Sequence, residues 1–284
     1  MSQLSFRFGT VGTPKNKPKN PGGSVGGIHY LHDLGLRAME LGWVRSVRVS
    51  DTTAEKIKEA GIEKDVALSV HAPYYINLNA DEDEWPKSRK RLMDASRAGY
   101  ISGATDIVFH PGSYFKQPPA DVLKTIMPRL EDCVRELRVE ENPVMLRPET
   151  MGKGAMLGSL EDTLEMSKID GVEPCLDFAH LHARPGDGSM NSTREWIEVL
   201  ETYLKALGED SIKRLHCHIS GIEYTEKGEQ NHLIISESDF NLEALFQALL
   251  EVKAGGRILC ESPTLEEDAL FVQQAWQEFS GEES

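Results

Sequence analysis

The chain has 284 residues, 39% hydrophobic and 27% charged, with 31 Lys and Arg against 46 Asp and Glu for a formal net charge of −15. That length suits one large domain with a substantial core, and no apolar run approaches the roughly 20 residues of a membrane-spanning helix. The acidic balance argues against a broad basic face for nucleic acid, although carboxylates that ligate divalent cations would be offset locally.

Residues 4–11 alternate and stop at Gly12-Thr-Pro14, which predicts a first strand and its exit loop. Residues 15–27, rich in Lys, Pro and Gly, read as a surface loop. Helical spacing from Ile28 through Leu31 and Leu34 precedes a second strand over 39–44. A short helix over 53–61, closed by Gly61, leads to a buried strand over 66–70 that ends at His71. A helix over 88–101 precedes a fourth strand over 106–109, and an amphipathic helix over 121–140 precedes a fifth over 143–147. Ser159-Leu-Glu-Asp162 has the form of a capping box and opens a helix to about residue 169. A strand over 173–178, a helix over 193–207, a strand over 212–218, a helix over 240–252, a strand over 257–260 and a helix over 265–279 complete the series.

Eight strands alternating with helices suit parallel strands joined by helical crossovers, and eight such units make a closed (β/α)8 TIM barrel. No composition shift marks a second domain, so residues 1–284 are expected to form a single α/β domain. Its active site should lie at the C-terminal ends of the strands. Met1 to Arg7 shows no apolar leader, and Cys133, Cys175, Cys217 and Cys260 form no Cys-x-x-Cys pair. Reduced thiols and a cytoplasmic location are the expectation.

The polar residues fall where such a site would be. Predicted strands end on His71, His110, Glu149, Asp177, His216 with His218, and Glu261, and His180, His182 and His232 lie just beyond strand ends. A lone histidine there is more often a satisfied structural residue. Seven histidines converging with Glu149, Asp177 and Glu261 reverse that weighting, because buried His, Asp and Glu are costly unless paired or metal-bound. A mixed imidazole and carboxylate shell suits Zn2+, with Mn2+ possible, and this many ligands exceed the needs of one metal. Paired metals bridged by a carboxylate favour hydrolysis at phosphorus, and Glu149, on a central strand, is the candidate bridge.

His71-Ala-Pro-Tyr-Tyr-Ile-Asn-Leu78, Phe109-His-Pro-Gly-Ser113, Glu149-Thr-Met-Gly-Lys-Gly-Ala-Met-Leu-Gly158 and Asp177-Phe-Ala-His180 follow one another in that order. Together they resemble the successive signatures of the endonuclease IV family of apurinic/apyrimidinic endonucleases, from His71 to Glu261. The resemblance implies a TIM barrel with up to three zinc ions that cleaves damaged double-stranded DNA 5′ to abasic sites in base excision repair. It further implies that His71 and His110 hold one metal and that Glu149 bridges to a second held by Asp177, a strand-seven histidine and Glu261. His180 and His232 would hold the third. Glu149 and Glu261 are the implied catalytic residues, positioning the attacking water through the metals they bind. His216 and His218 share one face of their strand, and His218 is favoured because it lies nearer the strand end.

Where the family carries Asp-x-His, this chain has Glu229-Gln-Asn-His232, which makes Glu229 a candidate ligand. Tyr74 matches a tyrosine that in the family helps hold deformed DNA. The family's DNA-wedging arginine has no clear counterpart in residues 43–50, where Arg45 and Arg48 are the available cations. Lys116, Lys153, Arg184 and Lys227 are further candidate phosphate contacts, and a monomer is expected. The rival is a sugar isomerase or epimerase using one divalent metal on a related barrel. Glu149, Asp177, His218 and Glu261 alone would serve it, and the acidic charge suits it. A non-enzymatic metal scaffold fits less well, because structural zinc sites are usually local in sequence and often cysteine-rich.

Overall fold

A computed structural model describes residues 6–281. Residues 4 and 5 of the predicted first strand lie outside the described residues. The first half of the chain runs β1 (Phe6–Val11), α1 (Gly23–Asp33), β2 (Ala38–Gly42), α2 (Asp51–Glu63), β3 (Ala67–His71), α3 (Trp85–Ile101), β4 (Asp106–Phe109), α4 (Pro119–Val139), β5 (Met145–Pro148) and α5 (Leu160–Met166). The second half runs β6 (Cys175–Asp177), α6 (Phe178–Ala183), α7 (Thr193–Leu207), α8 (Glu209–Ile212), β7 (Leu215–Ile219), β8 (Gly221–Thr225), β9 (Gly228–Leu233), α9 (Leu242–Glu251), β10 (Gly256–Cys260) and α10 (Glu266–Ser280).

Eight of these strands form one parallel sheet in the order β5-β4-β3-β2-β1-β10-β7-β6. Its two ends meet through isolated parallel bridges, Leu146 to Val172 and Glu149 to Cys175, and the Thr150 N–H donates to the Cys175 carbonyl at 3.0 Å. The result is a nearly closed TIM barrel, as the alternation of elements predicts.

The strands are buried on both faces, so they read as apolar runs rather than as clean alternation. The helices contribute the outer layer of the core. Trp196, Val199, Leu200 and Tyr203 of α7 are buried, and Trp276 of α10 meets Phe6 and Phe246 edge-on at 5.1 and 5.2 Å. Each such side chain contributes about 1.5–3 kcal/mol by leaving water. All four cysteines are free and buried.

Several segments differ from the sequence-based expectation, among them the seventh strand, which begins at Leu215 rather than residue 212 because Glu209–Ile212 form α8. Helix α1 starts within the predicted loop, at Gly23, because Gly26 is there for contact: a Cβ on it would lie 1.9 Å from the Pro21 carbonyl oxygen. Strand β2 ends at Gly42, two residues early. Strand β6 has three residues, because the Asp177 carboxylate accepts the His180 N–H at 2.7 Å and caps α6 at once. Beyond β7, residues predicted as part of no element form an antiparallel hairpin, β8 with β9.

Candidate metal centre

Strands β3 and β7 and the exits of β4, β5, β6 and β10 bring their histidines and carboxylates to one end of the barrel. Three groups of potential ligand atoms lie there, each with all its atoms within 4.8 Å of one another. They are His71 with His110 and Glu149, then Glu149 with Asp177, His218 and Glu261, then His180 with Glu229 and His232. Glu149 belongs to two of them. Its Oε2 lies 3.3 Å from the Nε2 of both His71 and His110, and its Oε1 lies 3.3 Å from His180 Nδ1 and 3.5 Å from His218 Nδ1. The groups also touch at Glu261, 3.3 Å from His218 and 3.6 Å from His232.

Backbone contacts decide which ring nitrogen of two histidines is open. A carbonyl oxygen only accepts, so the proton must sit on the nitrogen that faces one. His71 Nδ1 donates to the Ala72 carbonyl at 3.0 Å, and His180 Nδ1 to the Thr150 carbonyl at 2.9 Å. Nε2 is thereby left open on both, towards Glu149 from His71 and towards Glu229 and His232 from His180.

A divalent cation fits this donor set. Glu149 Oε2, Asp177 Oδ2 and His218 Nδ1 are buried without a hydrogen-bond partner. Unsatisfied buried polar atoms cost about 1–3 kcal/mol each, more when charged, and a cation among them would satisfy all three. Without one, the charges answer each other. Burial opposes ionisation of Glu149, yet His110 and the other rings around it hold its carboxyl well below the usual carboxylate range. Burial likewise opposes the His71 charge, and the Glu149 carboxylate overcomes it and raises the ring to about 9.

The third group depends on the β8–β9 hairpin. The Glu229 N–H donates to the Gly152 carbonyl at 2.9 Å. A Cβ on Gly152 would lie 2.7 Å from the Glu229 Cβ and 2.8 Å from its Oε2, so only glycine leaves room for the ligand. Gly228, at φ +91°, packs as closely against the Gly152 carbonyl. Gly152 of the 149–158 motif therefore makes room for a candidate ligand from elsewhere in the chain.

His216 is not brought to the rim. Its side chain lies one layer deeper, where Nε2 donates to Glu40 Oε2 at 2.9 Å, and burial lowers its pKa to about 4, which keeps it neutral. His218, not His216, stands in the group beside Glu149, and His216 groups instead with Cys175 and His218. Glu40 escaped the sequence reading, and its only signal was a lone carboxylate in the apolar run Ala38-Met-Glu-Leu41. His182 is also apart from the centre, buried with Nε2 3.0 Å from Asp239 Oδ1.

A cleft of about 680 Å³ opens over the groups, lined among others by His71, Tyr74, His110, His180, Glu229 and Glu261. Tyr74 is half exposed at its mouth, with its ring 5.3 Å from His71 and 5.1 Å from His110. Arg184 is committed to structure, because its Nη1 donates to the Met151 and Lys153 carbonyls at 2.8 Å. Arg45, Arg48, Lys116, Lys153 and Lys227 are exposed.

A parallel β/α barrel with a rim of histidines and carboxylates places the chain among the TIM-barrel proteins. It belongs to the xylose isomerase-like TIM barrel family, whose sequence profile matches residues 28–278. An uncharacterised protein of Methanocaldococcus jannaschii is 36% identical over 276 residues, covering 97% of this chain and 98% of that one. Endonuclease 4 of Thermus thermophilus is 28% identical over 215 residues, 74% of each chain. Among solved structures, endonuclease IV from Thermus thermophilus gives a TM-score of 0.70 at 22% identity over 96% of this chain and 99% of that one. A D-tagatose 3-epimerase-like protein gives 0.69 at 18% identity over 96% and 97%. Both superpositions speak for the fold alone. No helix among the described residues is long and apolar enough to cross a membrane.

Proposed function

We propose that this chain is a zinc-dependent endodeoxyribonuclease that hydrolyses the phosphodiester bond 5′ to abasic sites in duplex DNA. The observation that carries the reading is the sharing of Glu149 between two ligand groups, with a third group alongside. A site for one metal has no use for His71, His110, His180, Glu229 and His232. The endonuclease 4 relative supports the same reaction class.

His71, His110 and Glu149 would hold one zinc, Glu149, Asp177, His218 and Glu261 a second, and His180, Glu229 and His232 a third. Zinc bound there would supply an activated water and neutralise charge developing on phosphate oxygens. The chain's own residues do the rest. Glu149 and Glu261 tie neighbouring groups together and fix their relative placement. The Ala72 and Thr150 carbonyls hold the His71 and His180 protons away from the cleft. Tyr74 offers a flat face at the mouth against which an extruded sugar or an adjacent base can stack. Extrusion costs least where a base is already missing, which gives selectivity for abasic sites. Arg45 and Arg48, exposed on the loop after β2 whose Val44 lines the cleft, would be the cations to meet the DNA backbone.

One observation favours a second reading, a single-metal sugar isomerase or epimerase: among the described residues, no lysine or arginine lines the cleft. Incision of a duplex carrying one abasic site, compared with turnover of a panel of ketoses, separates the two. Chelator-sensitive incision supports the nuclease. Uncut DNA with ketose turnover removes it.

A further inference from the structure

We propose that Glu40 is a positioning residue that fixes which nitrogen of His218 faces the metal centre. The inference rests on the metal-centre reading above. Glu40 lies in the middle of β2, fully buried, with its carboxylate in the layer beneath the ligands. Three side chains from two other strands converge on it. The Ser69 hydroxyl donates to its Oε2 at 2.7 Å, His216 Nε2–H donates to the same oxygen at 2.9 Å, and its Oε1 lies 3.0 Å from His218 Nε2. Glu40 Oε1 and His218 Nε2 form no aligned hydrogen bond, with each other or with any other described residue, so the close approach of carboxylate and ring is the contact each has.

Packing does not account for a carboxylate at this place. Its neighbours in β2, Met39 and Leu41, are buried and apolar, and a methionine at 40 would fill similar volume without a charge to desolvate. The consequence for His218 is specific. Its Nδ1 faces Glu261 at 3.3 Å and Glu149 at 3.5 Å, within the group that includes Asp177. A neutral imidazole carries its proton on one nitrogen and its lone pair on the other. A carboxylate at Nε2 keeps the proton there and turns the lone pair of Nδ1 to the cation, the arrangement that sets ligand orientation in histidine metal sites. Without it the proton can sit on Nδ1, which then has nothing to offer a cation. Ser69 and His216 anchor Glu40 in turn. The Cys175 thiol shares this layer, grouped with His216 and His218.

Glu40→Gln tests the assignment, because an amide keeps the shape and removes the negative charge that faces His218 Nε2. Chelator-stripped protein is titrated with zinc alone against a chromophoric chelator, and the His218 ring nitrogens are followed by ¹⁵N NMR. The expected result is a 10–100-fold weaker affinity at one site with the others unchanged, and loss of the single Nε2–H form of His218. Should Glu40→Gln not fold, Ser69→Ala, which removes one anchor, is expected to weaken the same site by a few-fold. Wild-type affinities and an unchanged His218 signature in both variants overturn the inference alone. A wild-type chain that takes up no zinc overturns the metal-centre reading and the inference with it.

Discussion

Glu149 is the residue on which the centre turns, because each of its oxygens faces two histidines. Glu149→Gln keeps the side chain's shape and removes its charge. Incision should fall by at least about 100-fold, the scale of losing one electrostatic contact in a transition state. The thermal midpoint of the metal-free protein should fall, since the histidines around residue 149 lose the carboxylate that answers their charge. Wild-type incision in that variant would remove Glu149 from the centre. Tyr74→Ala should leave zinc content unchanged and weaken binding to an abasic duplex by about 1–3 kcal/mol, the usual worth of a stacked base, as measured by fluorescence anisotropy. Much of this layer was legible in the sequence, because His71, His110, Glu149, Asp177 and Glu261 each end or follow an apolar run. Depth was not legible. Period-two alternation turns both His216 and His218 inward, and only the strand's end at Ile219 shows that His216 lies roughly 6–7 Å lower. Glu40 was missed for the same reason, since it interrupts a strand rather than ending one.

At the scale of elements, the β8–β9 hairpin decides whether the third ligand group exists. It was not read from sequence because its apolar alternation is confined to Ile222 and Tyr224, and residues 226–232 are polar or glycine throughout. Gly152 of the 149–158 motif was visible, but its purpose was not, because the hairpin it makes room for lies far along the chain, at residues 221–233. Gly152→Ala tests that coupling. The added methyl meets Glu229 at 2.7 Å and should push the hairpin off the barrel rim. Elemental analysis should find one equivalent of zinc fewer than wild type. Full zinc content would show that the hairpin is not seated through Gly152.

Across the whole molecule, the barrel puts stability at one end and chemistry at the other. Opposite the cleft, buried Arg147 donates to Asp106 at 2.7 Å and to Glu173 at 3.1 Å, and Arg257 adds a contact to Asp106 at 3.3 Å. Burial opposes the Asp106 charge, and Arg147 with Arg257 more than compensates, holding its carboxyl well below the usual range. The folded chain thus binds this proton less readily than the unfolded one. The stability it contributes is full above the unfolded-state value near 4 and is lost as pH falls below it. Arg147→Met leaves two buried carboxylates short of a partner and should cost about 3–5 kcal/mol by urea denaturation at pH 7, with a shallower loss on acidification than wild type. Equal stability at pH 7 would contradict that role. The eightfold alternation made this architecture legible, whereas the ion network was not, since Arg147 and Glu173 meet only once the barrel closes between β5 and β6. The central claim is that one centre holds several metals and cuts DNA, and the direct measurement is zinc per chain on gently purified protein, paired with incision of a duplex carrying one abasic site. Close to three zincs, with incision abolished by a strong chelator, is the predicted result; a single metal or none, with the DNA uncut, would contradict it.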